Sequence, residues 1–440
     1  MHTDTQQAIE TLLHFPATGI KLGLERVQQA LDMLGHPEKN YPCIHVGGSN
    51  GKGSVCAMVS SCLSAGGLRV GLYTSPHLSR LNERFRLNQE PVSDELLAQA
   101  VVKLLPVFEG KVDLSFFEFG TVLAFWLFAQ QKVDAAVIEV GLGGRLDATN
   151  VLSPCVSALT SLSMEHTQWL GKRLDDIAFE KAHIFKPGIP ALVSAQAHAA
   201  SPLLAAHAQR IGAPLYLEGR DFSLVPEGRQ EGGAPLQSTW QGFGRTLDKL
   251  QLSLKGAHQL SNAALALACL ELSPFRLDDA ALRQGLLQTR WPGRLEYFEG
   301  PPPLLLDGAH NPAGIEILVA ALKQLWPNKE IHLVFSVFQD KEVEPMAALL
   351  FPLCKSIHLA PLDNVRALPT EACLPLAQRF CPNTRVCNSV EEALQQASTH
   401  GGEKALVVVA GSLYLVGQAR ECLQKTPSSI PWRLPVSVGS

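Results

Sequence analysis

The chain has 440 residues, 46% of them hydrophobic and 18% charged, which suits two or three folded domains and excludes a solvated, disordered chain. Its 37 basic and 41 acidic residues give a formal charge of −4, so no broad electrostatic footprint for nucleic acid is expected. The longest apolar runs, Val122 to Ala129 and Ala263 to Leu270, fall far short of the roughly 18–20 residues that span a bilayer, so no membrane partner is expected.

The opening MHTDTQQAIE lacks the basic start and apolar core of a secretory signal, and the expected address is cytoplasmic. Ten cysteines with no C-x-x-C pair fit reduced core thiols rather than a disulfide scaffold or a structural zinc site. In chain order, amphipathic runs at Leu24–Leu34 and Glu95–Leu105 read as helices, and short β-branched runs read as strands. The strands are Cys43–Val46, Val70–Thr74, Ala135–Val140, Val156–Leu162 and Leu192–Ser194. Strands alternating with helices predict an α/β fold whose mostly parallel sheet is covered on both faces. Pro226 to Pro235 reads as a surface turn or hairpin connection.

After Trp291-Pro292-Gly293-Arg294, which reads as a linker, strands recur at Leu304–Asp307, Ile331–Ser336, Ser356–Leu359 and Leu406–Ala410. The predicted division is a phosphate-loop α/β domain over 1–290, a smaller α/β domain over 297–425 and a tail over 426–440. A cleft between the two domains would be the natural ligand site.

The run Tyr41 to Val46 feeds Gly47-Gly48-Ser49-Asn50-Gly51-Lys52-Gly53-Ser54, and Val55 to Leu63 continues as a helix. Strand, glycine loop and helix in that order let backbone N–H groups and a helix N-terminus cradle phosphate, with Lys52 reaching the terminal phosphates. The usual pattern places Ser or Thr directly after the lysine. Here Gly53 stands there, and Ser54 must supply any hydroxyl that faces Mg²⁺.

Glu139 ends a strand that should be buried, so its carboxylate needs a cation, either Mg²⁺ on a nucleotide or an arginine such as Arg145. The following Gly141 to Asn150, with Asp147, reads as a substrate contact or as a plain strand-to-helix connection. His166 falls on the same sheet rim as Glu139, where a ligand role and a structural one are both open. Lys181, within Leu174–Phe185, reads from periodicity as a surface lysine. Asp307 and His310 face the proposed cleft or form a simple Asx-capped turn.

Taken together, HVGGSNGKGS, YTSPHL, IEVGLGGRLDATN, SMEHTQWLG, FEKAHIFKPG, GAHQLSNAA, WPGRLE, LDGAHNPAG and VVVAGSLYLVG resemble the folylpolyglutamate synthase and dihydrofolate synthase family, relatives of the Mur ligases. The resemblance runs from about Gly23 to Gly417 in the family's order. It implies an ATP-dependent amide ligase that adds L-glutamate to dihydropteroate or a reduced folate through an acyl phosphate. Another Mur-type amino-acid ligase, or a nucleotide- and folate-binding protein without chemistry, is the alternative. The separate N-terminal module of Mur ligases proper is not expected, because the glycine loop begins at Gly47.

By resemblance, Asn50, Gly51, Lys52, Gly53 and Ser54 bind ATP, as do His258, Gln259, Asn262, Arg294, Asp307 and His310. Ser54, Glu139, His166 and Lys181 are implied to hold Mg²⁺, as two ions, with Lys181 carbamylated and with Lys52, His166 and Lys181 catalytic. Thr74, Ser75, Pro76, His77 and Asp147 are implied on the pterin side, and the expected assembly is a monomer. Three positions depart from the family's pattern: Ser49 stands for Thr, Glu165 for the Asp of D-H-T, and His183 for the Gly of E-K-A-G.

Overall fold

The computed structural model describes residues 23–228, 236–399, 404–425 and 430–434, with single positions 7, 9, 10, 12 and 402. Among them the chain divides into two compact units. The first comprises Met1–Gly228, Leu236–Ser253 and Gln259–Arg290, and the second comprises Leu254–His258 and the chain from Trp291 onward.

The first unit is built on eight strands: β1 (Cys43–Gly47), β2 (Val70–Tyr73), β3 (Phe85–Leu87), β4 (Glu90–Pro91), β5 (Ala135–Glu139), β6 (Val156–Leu159), β7 (Ala191–Val193) and β8 (Leu215–Leu217). Their order across the sheet is β4-β3-β2-β5-β1-β6-β7-β8. β3 alone runs against the others, pairing antiparallel with β2 and, in an edge hairpin, with β4, and the remaining pairs are parallel. Every residue of β1, β2, β5, β6 and β7 is buried, as expected for strands covered on both faces.

Two helices flanking this sheet are apolar on all sides. Phe116–Gln130 starts at a capping box in which Ser115 and Glu118 satisfy each other's amides, and Glu118 also accepts from Arg26 Nε at 2.9 Å. Lys52–Ala65 packs so closely on Asp279–Gln288 that a Cβ on Gly285 would lie 2.4 Å from Cys62 Cα. Away from the large sheet, β9 (Phe222–Pro226), β10 (Leu236–Gly242) and β11 (Arg245–Leu252) form an antiparallel sheet. The turn expected over 226–235 therefore joins β9 to β10, and all of it beyond Gly228 lies outside the described residues.

The second unit holds β12 (Glu296–Phe298), β13 (Leu304–Leu306), β14 (Glu330–Phe335), β15 (Cys354–Leu359), β16 (Thr384–Val386) and β17 (Ala405–Ala410). Their order is β12-β13-β17-β14-β15-β16, with β12 alone antiparallel. One face of this sheet places Leu305, Leu333, Phe335, Ile357 and Val408 in a core with Ile315, Leu322 and Met346.

Of the tail expected over 426–440, residues 430–434 are described. Ile430 and Trp432 are buried, and Trp432 Nε1 donates to Pro302 O at 2.6 Å, because two large apolar side chains have more to gain in the core than in water. All ten cysteines are free thiols, seven of them buried. No described helix is long and apolar enough to cross a membrane.

Candidate active site

β1 ends at the glycine loop, at the centre of the parallel sheet. The parallel register sets Val46 beside Glu139, so the acid emerges next to the strand that feeds the loop. Two glycines are required here. Gly48 has φ 131° and Gly51 has φ 92°, and a Cβ on them would lie 1.9 Å from Thr160 Oγ1 and 2.6 Å from Asn262 Oδ1. The helix Lys52–Ala65 then begins with no side-chain cap and no acid in its first turn, the arrangement that suits a helix N-terminus to an anion.

The loop is held from outside by the segment after β6. Ser49 N donates to Ser161 O at 2.7 Å and Asn50 N to Ser161 Oγ at 3.0 Å, while Thr160 Oγ1 donates to Asn50 O at 2.7 Å. Ser49 Oγ and Ser163 exchange two further bonds. The sequence reading extended β6 to Leu162. The strand stops at Leu159, where the Thr160 and Ser161 hydroxyls and the main-chain groups of Ser161 and Ser163 turn to the glycine loop.

Two ammonium groups meet at one oxygen. Lys52 Nζ donates to Gly48 O at 2.9 Å and to Ser49 O at 3.0 Å, and Lys181 Nζ donates to Gly48 O at 2.9 Å. Lys181 also pairs with Glu165 at 2.8 Å. It is 2% exposed, so the expectation of a surface lysine is corrected. The helix Leu174–Ala182 buries Ile177, Ala178, Lys181 and Ala182 on one face, and Lys181 continues that face. Burial pulls the Lys181 amine down, Glu165 pulls it back and Lys52 adds to the depression. For Glu165 burial pushes upward, but Lys181 and Lys52 outweigh it and hold the carboxyl at about 2.

Glu139 is buried, and its Oε2 accepts from Ser75 N at 3.1 Å. Arg145 is not its partner; that guanidinium pairs with Glu180 at 2.9 Å. His166 lies exposed at φ 46°, next to Glu165, as the residue before the short helix Thr167–Leu170. Among the described residues no three His, Cys, Asp or Glu side chains gather closely enough to hold a metal ion unaided.

Gln259 and Asn262 reach the same loop: Gln259 Nε2 donates to Ser54 Oγ at 3.4 Å, and Asn262 Nδ2 to Gln259 Oε1 at 2.9 Å. In the segment after β2, Thr74 N donates to Arg84 O, the Ser75–Pro76 peptide is cis, and His77 Nδ1 accepts from Arg84 Nε at 2.9 Å. Burial, then Arg84, pushes His77 down to about 4. Asp147 is buried and spent within its own loop, accepting from Leu142 N at 2.7 Å, Thr149 N at 3.0 Å and Thr149 Oγ1 at 2.5 Å.

Within the second unit, Asp307 accepts from Leu295 N and Ala309 N, both at 2.9 Å, so its carboxylate clamps the turn that carries Arg294. Burial pushes Asp307 up, against Arg294 and these two amides. His310 Nδ1 lies 2.8 Å from Gly308 O. Burial, reinforced by Arg294, brings His258 down to about 4. The cradle made by the Thr160 and Ser161 hydroxyls with the Ser163 main chain, and the Glu165–Lys181 pair, escaped sequence reasoning. A Thr/Ser cluster directly after a buried strand was the available signal for the first.

Residues 46–270 match the family model for the Mur ligase middle domain, and residues 293–413 match the Mur ligase glutamate ligase domain. The chain is 34% identical to the dihydrofolate synthase/folylpolyglutamate synthase of Bacillus subtilis over 92% of this chain and 96% of that protein. Among solved structures, Escherichia coli FolC in complex with DHPP and ADP superposes with a TM-score of 0.86 at 32% identity, covering 95% of this chain and 97% of that one. The Yersinia pestis folylpolyglutamate synthase/dihydrofolate synthase complexed with AMPPNP and Mn ion gives 0.84 at 34%, covering 95% and 98%.

Proposed function

The chain belongs to the folylpolyglutamate synthase/dihydrofolate synthase family of Mur-type ligases, and from that premise we propose how its residues carry the reaction. It is an ATP-dependent ligase that adds glutamate in folate metabolism, acting on small molecules with ATP and a divalent metal. In our reading the acceptors are dihydropteroate, a reduced folate or both, and the enzyme works as a monomer in the cytoplasm, where its thiols stay reduced.

A carboxylate does not acylate an amine, since oxide would have to leave. The acceptor carboxylate therefore attacks the γ-phosphorus of ATP, a C–O–P linkage forms and ADP departs. The amine of L-glutamate then attacks the acyl carbon; the C–N bond forms, the C–O bond to phosphate breaks and the amine loses a proton. Both steps bring like charges together, so positioning and charge neutralisation dominate.

Lys52, parked between the carbonyls of Gly48 and Ser49, exchanges them for phosphate oxygens when ATP enters. Gly51, Gly53 and the uncapped first helical turn supply N–H groups, while Gln259 and Asn262 hold Ser54 and the loop in place. Ser54 and Glu139 would hold one magnesium ion, and His166 with a carbamylated Lys181 a second. When bound, magnesium screens the phosphate oxygens from the incoming carboxylate. Burial of Lys181 favours the neutral amine that carbamylation needs. Asn50, His258, Arg294, Asp307 and His310 are proposed on the ATP side, and Thr74, Ser75, Pro76, His77 and the Asp147 loop on the acceptor side.

The observation that carries this reading is the convergence of Lys52 and Lys181 on the Gly48 carbonyl, beside a buried acid at the end of the adjacent strand. ADP release should require L-glutamate and dihydropteroate or tetrahydrofolate together. ADP release independent of the acceptor, or driven equally by a UDP-linked acceptor, would overturn it.

A further inference from the structure

His45, Thr149 and Asp147 form a buried polar chain that the steps above leave unused. His45 lies on β1, two residues before the glycine loop, and is fully buried. Its Nε2 is 2.8 Å from Thr149 Oγ1, and that oxygen is 2.5 Å from Asp147 Oδ1. The hydroxyl has one proton, which goes to the carboxylate, an acceptor only. His45 must therefore donate through Nε2, which fixes its tautomer and leaves Nδ1 bare. Nδ1 has no hydrogen-bond partner among the described residues.

Burial, with Lys186 adding, pushes His45 down to about 3, so the ring is neutral at physiological pH. An apolar side chain would fill this position without orphaning a nitrogen, so the gain lies at Nε2. Asp147, reached through Thr149, accepts from the amides of Leu142 and Thr149 and so ties together the two ends of the loop after β5.

We propose that His45 and Thr149 are positioning residues, which lock Asp147 and the Gly141–Asn150 loop in the shape that receives the aminopteridine-bearing acceptor. This rests on the reading above that the Asp147 loop lines the acceptor side. β1, buried along its whole length, is the fixed end of this path, and the Gly141–Asn150 loop is the end it positions.

Steady-state kinetics on the full-length enzyme test it, with ATP, L-glutamate and dihydropteroate varied in turn. Thr149→Val, which keeps the shape and deletes the hydroxyl, should raise the acceptor KM about three- to tenfold and leave the ATP KM unchanged. Thr149→Ser should restore it. His45→Leu should reproduce the effect, and the double variant should be no worse than either single one, because both cut the same path. His45→Leu also reports alone should Thr149→Val fail to fold. If Asp147→Asn raises the acceptor KM while Thr149→Val and His45→Leu do not, or if the ATP and acceptor constants rise together, the proposal is overturned. If Asp147→Asn also leaves the acceptor KM unchanged, the proposal falls because the acceptor-side reading beneath it is wrong.

Discussion

Lys52 and Lys181 place two cations on one main-chain oxygen, and only Lys181 has a carboxylate within ion-pair distance, that of Glu165. This asymmetry separates their roles. Lys52 is bound by carbonyls alone and can leave them for phosphate at small cost, so Lys52→Ala should cut ligation by about 10²–10³ while the melting temperature stays that of wild type. Turnover within about tenfold of wild type would remove Lys52 from the chemistry. Lys181 is anchored by a pair in which both partners are nearly buried. In CO₂-free buffer, Glu165→Ala would strand its ammonium, a loss of about 3–5 kcal/mol in urea unfolding. Carbamylation makes the opposite charge at the same atom, so the two states are distinguished by intact mass in CO₂-containing buffer. Addition of one CO₂, lost in Lys181→Arg, is expected; an unmodified chain in active enzyme would exclude it.

At the scale of elements, the parts that were legible in the sequence are those whose two faces are both dry. β1 and β5 are short apolar runs broken only by His45 and by the terminal Glu139, and the Gly47–Ser54 loop between β1 and the next helix has no role in a plain turn for its lysine. What escaped has a common cause: polar side chains that fold inward. Thr160 to Leu162 read as strand because hydroxyl residues are compatible with one, and Lys181 read as surface because periodicity records hydrophobicity, not the presence of a buried partner. The strands β9 to β11 and the β3–β4 hairpin escaped because their alternation is short and partly exposed, although the connection over 226–235 read as a turn or hairpin link and β9 and β10 do pair antiparallel. The helix behind the phosphate loop offers a test of how tightly the elements constrain one another. Gly285→Ala would set a methyl 2.4 Å from Cys62 Cα and 2.6 Å from Cys62 N, atoms that move only with the helix itself. Stability should fall by about 1–3 kcal/mol, and ATP affinity should fall with it because the displaced helix begins at Lys52.

Across the whole molecule, the response to acid follows from which groups are buried neutral. His45 is brought down to about 3, His77 to about 4 and His258 to about 4, each chiefly by burial. The unfolded chain takes up protons on these rings near pH 6.5, the folded chain only well below it. The stability they contribute is therefore complete above about pH 6.5 and drains away as the pH falls toward 4. Glu165, held at about 2, adds stability above about pH 4.5 that is lost on further acidification. Asp147 and Asp307, both raised by burial, act in the opposite sense: the folded chain keeps their protons more readily, which offsets part of the loss at the acid end. Between pH 6.5 and 4.5 the imidazoles act before the acids, so the free energy of unfolding should decline steadily over that interval. Each ring that stays neutral in the fold contributes a slope of about 1.4 kcal/mol per pH unit. His45→Gln removes one such ring, and its unfolding free energy should show a shallower slope by about that amount whatever its absolute stability. A slope equal to that of wild type would mean that His45 already carries its proton in the folded chain, and the fixed tautomer on which the Thr149 path depends would be lost with it.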